Sequence, residues 1–199
     1  MIKTIFFDLG NVITDFDETD MFKQWAAASN KPVSEIIKFH QGSRTRKAYE
    51  RGEISSEQHY KKILEELDMK IKFNDFKKGF NEIFTLNKDV EKLIRKLKGK
   101  YKLILLSNTN KMQYEYIKGK YKILEELDDY ILSYEVGCRK PNPLIYYKAL
   151  KKAKTLSFNC AYFDDIGEFI VVARTLGIKA FQFRNYKKLV NDLKKVGVL

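Results

Sequence analysis

Lys3-Thr4-Ile5-Phe6-Phe7-Asp8-Leu9-Gly10-Asn11-Val12-Ile13 is the stretch from which the fold of this chain can be predicted. Residues 5–7 form a short apolar run that ends in an acid, which is typical of a strand buried in a parallel sheet. Burying a carboxylate at the end of a strand is costly unless a cation or hydrogen bonds hold it. Gly10 and Asn11 favour a tight turn because both tolerate unusual backbone angles. We therefore expect a first strand followed by an acid that either caps the turn or belongs to a functional site.

The composition indicates a globular protein with a substantial core. Of 199 residues, 44% are hydrophobic and 32% are charged, which predicts one domain, or one domain that carries an insert. No apolar run approaches the roughly 18–20 residues of a membrane-spanning helix, and the first residues do not resemble a secretory signal. Cys138 and Cys160 are too few for a disulfide framework or a structural zinc site, which favours a reducing, cytoplasmic location.

The formal net charge of +12 raises the question of a nucleic-acid partner. The lysines are spread along the whole chain, and most stand among acids at helical spacing, as in Lys61-Lys62-Ile63-Leu64-Glu65-Glu66. That pattern is typical of solvated helix faces. With no nucleic-acid-binding motif in view, we expect neither a nucleic-acid partner nor a membrane partner.

Two parts of the chain differ in their pattern. Residues 15–85 show helical patterns only, with a Ser55/Gln58 capping box among the start signals. From Asn87 onward, helices alternate with short apolar runs at 101–106, 130–133, 160–163 and 179–183. This alternation predicts an α/β fold, a Rossmann-like parallel sheet with helices on both faces, built from residues 1–14 and 86–199. Residues 15–85 are then an α-helical insert.

The predicted strand ends carry the candidate chemistry, since ligands bind beyond the carboxyl ends of strands in open parallel sheets. Those ends are Asp8, Ser107-Asn108, a segment containing Lys140, and Asp164-Asp165. Clustered acids favour a hard cation with oxygen ligands, and Mg²⁺ is the best candidate. A lysine and a hydroxyl beside such a cation indicate an anion site, above all for phosphate.

In this order, the four segments resemble the motifs of the haloacid dehalogenase-like hydrolases. Phe7-Asp8-Leu9-Gly10-Asn11-Val12 is similar to the nucleophile motif, and Leu106-Ser107-Asn108 to the serine motif. Arg139-Lys140-Pro141 and Phe163-Asp164-Asp165 are similar to the lysine and acidic motifs. The helical insert, residues 15–85, is similar to the family's small cap and is called the cap below. Within the family, these motifs and the cap stretch Tyr49-Glu50-Arg51-Gly52-Glu53-Ile54-Ser55 most resemble bacterial phosphatases of α-D-glucose 1-phosphate.

The resemblance implies a Mg²⁺-dependent phosphatase that hydrolyses a small phosphorylated metabolite, first among them sugar phosphates, through an aspartyl-phosphate. Asp8 would be the nucleophile, and Lys140 would offset negative charge on Asp8 and the phosphate. Ser107, the Asn108 amide and Lys140 would bind phosphate. Mg²⁺ would be held by Asp8, the Gly10 carbonyl and Asp165, with Asp164 helping directly or through water.

Two positions depart from the family's pattern. Gly10 stands where most family phosphatases have a second aspartate that acts as general acid and base, although the glucose 1-phosphate enzymes also have glycine there. A general acid is typically worth roughly 10²–10⁴-fold in rate, so a substitute or an easier leaving group is needed. An anomeric phosphate is such a leaving group, while Asp15 and Asp17 are alternative proton sources. Phe169 stands at a position where an acid or amide is common, which leaves the surroundings of the metal open.

Three alternatives remain at the level of the sequence. The cap residues His40, Arg44 and Arg46 either meet the substrate or are exposed or packing residues. A metal-free 2-haloacid dehalogenase is a second enzyme hypothesis, although the Asp164-Asp165 pair argues against it. Gly10 and Phe169 also motivate a non-catalytic module that binds phosphate esters. The sequence gives neither the natural substrate nor the oligomeric state.

Overall fold

The computed structural model describes residues 1–199, and its centre is a five-stranded sheet. In chain order the strands are Thr4–Phe7 (β1), Thr14–Phe16 (β2), Phe84–Leu86 (β3), Lys102–Ser107 (β4), Asp129–Leu132 (β5), Cys160–Asp164 (β6) and Lys179–Gln182 (β7). The sheet has the order β5-β4-β1-β6-β7, and every neighbouring pair is parallel. The predicted parallel sheet is confirmed, with β1 at its centre.

Eleven α-helices accompany the strands. In chain order they are Thr19–Ser29 (α1), Val33–Gly42 (α2), Arg44–Glu50 (α3), Ser56–Leu67 (α4), Phe73–Asn81 (α5), Lys88–Leu97 (α6), Lys111–Lys120 (α7), Ser133–Val136 (α8), Pro143–Ala153 (α9), Gly167–Thr175 (α10) and Tyr186–Lys195 (α11). Short 3₁₀ helices lie at Lys122–Glu126 and Ser157–Asn159. None of the helices combines the length and the apolar composition that crossing a bilayer requires.

The two faces of the sheet are covered by separate hydrophobic clusters, because successive side chains of a strand point to opposite faces. Phe6 belongs to a cluster with residues of α9 and α10. Phe7 belongs to a larger one with residues of α6, α7 and α11. The second cluster continues into the cap through Trp25 and Phe76, whose rings stack at 5.3 Å. The cap and the sheet therefore share one apolar core on this side.

Several helices begin with a side-chain capping hydrogen bond, the predicted Ser55/Gln58 box among them. The Asn87 and Asn110 side chains accept main-chain N–H groups of the first turns of α6 and α7. The capping box of Ser55 and Gln58 is present at α4. Asn142 caps α9, in which Pro143 is the first residue. Such caps satisfy N–H groups that have no partner inside the helix.

The prediction that residues 15–85 are purely helical was wrong at both ends. β2 and β3 pair antiparallel, with Thr14 opposite Leu86 and Phe16 opposite Phe84, so a two-stranded ribbon joins the cap to the sheet. Each strand has three residues, which is too short for an alternating pattern to be recognised. The last cap helix, α5, ends at Asn81, before this ribbon. Helix α3 begins where the Ser43 hydroxyl accepts the N–H of Arg46.

Candidate active site

Three adjacent strands bring the predicted site residues to one edge of the sheet. In the register, Phe7 lies opposite Leu105 on β4 and opposite Phe163 on β6. Asp8 directly follows β1, and its N–H donates to the carbonyl of Phe163 at 3.0 Å. Because the strands are parallel, Ser107 at the end of β4 and Asp164 at the end of β6 lie on either side of Asp8.

Lys140 contacts residues at the carboxyl ends of all three strands, although it lies on the loop before α9. Its Nζ lies 2.9 Å from Asp8 Oδ1 and 2.5 Å from Asp164 Oδ2. The ammonium also donates to the carbonyl of Leu106 at 3.0 Å. Leu106 and Asp164 thus accept hydrogen bonds from the ammonium, Asp8 forms an ion pair with it, and Lys140 is only 1% exposed. The position of this buried cation is thus fixed by two strand ends and the Asp8 loop.

The pKa values of these groups reflect the opposing effects of burial and of neighbouring charges. Burial raises the pKa of Asp8 to about 7, against the opposing effect of the Lys140 ammonium. Burial alone would lower the pKa of Lys140, but its attraction to Asp164 and Asp8 outweighs this, and the net direction is upward. Burial and the neighbouring Asp164 also raise the pKa of Asp165, although a hydrogen bond from Asn11 opposes them. The acids would therefore be stabilised by an additional positive charge.

The acid cluster offers oxygen ligands for such a charge. Carboxylate oxygens of Asp8, Asp164 and Asp165 all lie within 4.8 Å of one another. Asp8 Oδ1 is buried and receives no well-directed hydrogen bond, even though the Lys140 ammonium is 2.9 Å away. A buried carboxylate oxygen without a donor is costly, and a hard divalent cation would satisfy it. The donor set therefore fits Mg²⁺.

Asp164 and Asp165 differ in what they have left to offer a cation. Asp164 Oδ2 accepts from both Lys140 and the Tyr162 hydroxyl, and Oδ1 accepts the N–H of Ile166 at 2.8 Å. Asp165 is half-buried, and its one side-chain hydrogen bond comes from the Asn11 amide at 2.9 Å. Asp165 thus has more free lone pairs than Asp164, which acts first as the partner of Lys140.

Asn108 connects the end of β4 to the lysine loop. Its side-chain amide donates to the Lys140 carbonyl at 3.0 Å, and its side-chain oxygen accepts the Lys140 N–H at 2.8 Å. The side chain is therefore occupied with positioning Lys140. The main-chain N–H of Asn108 makes no hydrogen bond within the protein, so it is the group that remains for an anion.

A cavity of about 110 Å³ opens at this edge between the sheet and the cap. Glu18, Arg46 and Glu50 contribute its cap side. The rest of the lining comes from the loops at the strand ends, the two-stranded ribbon and α7: Leu9, Gly10, Phe16, Ile83, Phe84, Ser107, Asn108, Thr109 and Gln113. Asp8 is not itself a lining residue, but Leu9 and Gly10 of its loop are.

The three predicted cap residues have different surroundings. Arg46 lines the cavity. His40 is 5% exposed, and its Nε2 lies 3.0 Å from Glu18 Oε1, so it reaches the cavity only through Glu18. Placing Arg44 at the site was wrong: it is exposed and lies beside Glu35 and Lys38 in a separate surface depression. Residues two apart on a helix do not share a face, so Arg44 and Arg46 could not both point to the cavity.

Sequence reasoning missed the contacts that join the cap to the sheet. Glu50 Oε2 forms an ion pair with Nε of Arg139, the residue before Lys140. The Tyr49 hydroxyl accepts the N–H of Met112 at 3.1 Å, at the start of α7. Glu50 and Tyr49 belong to the quoted stretch 49–55, which was the only signal in the sequence. Nothing in the sequence identified Arg139 as the partner of Glu50.

Phe169 contacts the site through its ring. The ring centroid lies 5.2 Å from Lys140 Nζ, and the Tyr162 ring lies 5.7 Å from the same atom. Both are within the range of a cation–π interaction. The polar contact to Asp164 comes instead from the Tyr162 hydroxyl, a residue that sequence reasoning missed because it stands within an apolar strand.

Residues 2–174 match the family model of the haloacid dehalogenase-like hydrolases. The chain belongs to this family. The prediction of a hydrolase of the haloacid dehalogenase-like type is thereby confirmed, and the buried Asp8, Lys140 and Asp164 lie where its motifs converge.

The similar proteins include both a phosphatase and a haloacid dehalogenase. A haloacid dehalogenase family enzyme of Bacteroides thetaiotaomicron, in complex with magnesium and inorganic phosphate, has a TM-score of 0.85 at 23% identity and covers 95% of this chain and 99% of that chain. L-2-haloacid dehalogenase from Xanthobacter autotrophicus has a TM-score of 0.67 at 15% identity, over 100% and 85% of the two chains. These likenesses show the fold. Among curated relatives, D-ribitol-5-phosphate phosphatase of Bacteroides thetaiotaomicron is 27% identical over an alignment of 199 positions, which covers 93% of each chain.

Proposed function

We propose that this protein is a Mg²⁺-dependent phosphatase of small phosphorylated metabolites, in particular sugar or sugar-alcohol phosphates. The observation that carries the proposal is the convergence of three acids within 4.8 Å of one another and one buried ammonium beside the cavity. One curated relative is a D-ribitol-5-phosphate phosphatase, which supports the same substrate class. The cytoplasmic location stays a prediction, and both cysteines are unpaired and buried.

In this mechanism Asp8 is the nucleophile. Its carboxylate attacks phosphorus in line, the bond from phosphorus to the leaving oxygen breaks, and an aspartyl-phosphate forms on Asp8. Water then attacks phosphorus and releases phosphate and the free carboxylate. The Ser107 hydroxyl and the main-chain N–H of Asn108 bind phosphoryl oxygens, and Lys140 offsets the charge that accumulates as two anions approach.

Asp8, Asp165 and the carbonyl of Gly10 would hold Mg²⁺, with Asp164 contributing through its remaining lone pair or through water. When bound, the ion would orient the phosphate and screen it from the attacking carboxylate. The free oxygens of Asp8 and Asp165 support this assignment.

The cavity supports a small polar substrate. About 110 Å³ leaves room for a phosphoryl group with a short leaving group, and charged and amide side chains line it: Glu18, Arg46, Glu50, Asn108 and Gln113. Such groups match the hydroxyls of a polyol, since specific sites use a few well-placed polar groups. Glucose 1-phosphate and pentitol 5-phosphates are therefore the first substrates to compare.

Asp8→Asn tests the proposal with p-nitrophenyl phosphate as substrate. We expect turnover to fall to background, and wild-type turnover to require added Mg²⁺ and to stop with EDTA. Asp15→Asn is a matched control, because Asp15 is an exposed acid on β2. Activity that survives EDTA would overturn the metal-dependent mechanism. Binding of phosphate esters without turnover over hours would favour the binding module, and release of halide from a 2-haloacid would favour the dehalogenase.

A further inference from the structure

The residue two positions after the nucleophile Asp8 is Gly10, which cannot donate a proton. Gly10 has no side chain, and a Cβ built there would lie 3.2 Å from Cε1 of Phe16, so an aromatic ring takes up the neighbouring space. An alkoxide leaving group nevertheless needs a proton, and the water that attacks the aspartyl-phosphate must lose one. The following inference rests on the proposed function and concerns the group that moves these protons.

Asp15 and Asp17 do not supply it. Asp15 is exposed on β2. Asp17 is exposed as well, and its Oδ1 accepts the N–H of Thr19 at 2.9 Å. Asp17 lines a different depression on the cap, and neither acid lines the cavity at the strand ends.

Two carboxylates line the cavity, and only one of them is available. Glu50 has one oxygen 3.7 Å from Nη1 of Arg46 and the other in the ion pair with Arg139, so guanidinium groups engage both oxygens. Glu18 has no arginine or lysine partner. Its only side-chain contact of this kind is between Oε1 and Nε2 of His40, at 3.0 Å.

The contact with His40 positions the Glu18 carboxylate and leaves one of its two oxygens available. His40 is 5% exposed, and its ring packs edge-on against Phe22 and Trp25 at centroid distances of 5.4 and 5.9 Å. The Glu18 side chain is 25% exposed, and its one ion pair uses Oε1, so Oε2 takes part in none. One oxygen is therefore held by a buried imidazole while the other remains free at the cavity wall that Gly10 also lines.

We propose that Glu18 is the general acid and base of the reaction and that His40 positions its carboxyl group. In the first step the bond from phosphorus to the leaving oxygen breaks, and the protonated Glu18 gives its proton to that oxygen, which leaves as the alcohol. In the second step the Glu18 carboxylate takes a proton from water as the water oxygen bonds to phosphorus and the bond to Asp8 breaks. Glu18 thus ends each cycle protonated, as it began.

Glu18→Gln tests this with two substrates of different leaving group, p-nitrophenyl phosphate and ribitol 5-phosphate. With the alkyl substrate we expect kcat to fall about 10²–10⁴-fold, the usual contribution of a general acid. The nitrophenolate needs no proton to leave, so its release in the first turnover should keep the wild-type rate. Later turnovers should slow, because hydrolysis of the aspartyl-phosphate has lost its base, and a burst of one nitrophenolate per enzyme should appear.

Glu50→Gln is the matched control, since it changes the other cavity acid in the same way. We expect it to change the rates of both substrates by a similar factor and to give no burst. Glu18→Asp, which keeps a carboxyl group at shorter reach, should recover part of the alkyl rate. His40→Gln should reproduce the dependence on leaving group with a smaller loss, and a uniform loss would overturn its positioning role.

An equal loss of Glu18→Gln in the first-turnover rates of both substrates, or no loss with either, would overturn the inference while Asp8→Asn still eliminates turnover. If the wild type hydrolyses neither substrate with Mg²⁺, the proposed function fails and this inference fails with it. Circular dichroism and the midpoint of thermal unfolding establish that each variant is folded.

Discussion

The ammonium nitrogen of Lys140 lies 2.9 Å from Oδ1 of Asp8, and neither side chain is more than 10% exposed. The same nitrogen lies 2.5 Å from Asp164, so one cation serves two carboxylates that would otherwise repel each other. Paired buried charges are not in themselves a large source of stability, but removing one partner leaves the other uncompensated. Lys140 therefore affects both the free energy of unfolding and the charge of the candidate active site.

Lys140→Met should destabilise the protein because it leaves Asp8 and Asp164 without their cation. Breaking a buried pair typically costs about 3–5 kcal/mol of the free energy of unfolding. Urea unfolding at neutral pH with EDTA measures the change. Adding Asp164→Asn to Lys140→Met should recover part of the loss, because it removes one of the two unpaired charges. A loss below about 1 kcal/mol for Lys140→Met would contradict the buried pairing.

The stability of the metal-free protein should fall as the pH rises from about 4 to about 7. Burial raises the pKa of Asp8 to about 7, whereas in the unfolded chain it has its ordinary value near 3.9. Between these values the folded state binds more protons than the unfolded state, so the free energy of unfolding decreases with pH. Above about pH 7 the contribution of Asp8 is fully lost.

Asp8→Asn removes this charge, so with EDTA present its midpoint of thermal unfolding should exceed that of the wild type near pH 8. The difference should vanish near pH 4, where Asp8 is neutral in both states. Added Mg²⁺ should raise the midpoint of the wild type but not that of the variant at neutral pH. A difference that does not depend on pH would show that burial does not perturb Asp8.

Glu50 and Arg139 should be energetically coupled in substrate binding, because their ion pair joins α3 of the cap to the loop that carries Lys140. Glu50→Gln and Arg139→Gln should each raise KM for ribitol 5-phosphate. In a double-mutant cycle the combined variant should show a coupling energy of about 0.5–3 kcal/mol, as expected of residues in contact. Additive effects would mean that the ion pair between Glu50 and Arg139 does not contribute to substrate binding.

The sheet could be predicted from the sequence because strands buried on both faces are continuous apolar runs, and because Asp8, Ser107 and Asp164 stand at the ends of such runs. β2 and β3 could not be predicted, since three residues show no period. The partnership of Glu50 with Arg139 was equally invisible, because it depends on how the cap is seated on the sheet. Gly10 revealed that a proton donor was missing, but only the structure shows Phe16 beside it and Glu18 across the same cavity.

Arg46 and Arg44 form a matched pair, since they lie two residues apart on α3 and only Arg46 lines the cavity. Arg46 Nε is buried and has no acceptor within the protein, so its guanidinium has donors to give to a substrate oxygen. Losing one hydrogen bond between a charged group and the substrate costs about 1.5–3 kcal/mol. Arg46→Gln should therefore raise KM about 10–100-fold. Arg44→Gln should leave KM and kcat unchanged, because Arg44 is exposed on another face. Steady-state kinetics of both variants with ribitol 5-phosphate make the comparison, and equal values of KM would show that Arg46 does not contact the substrate.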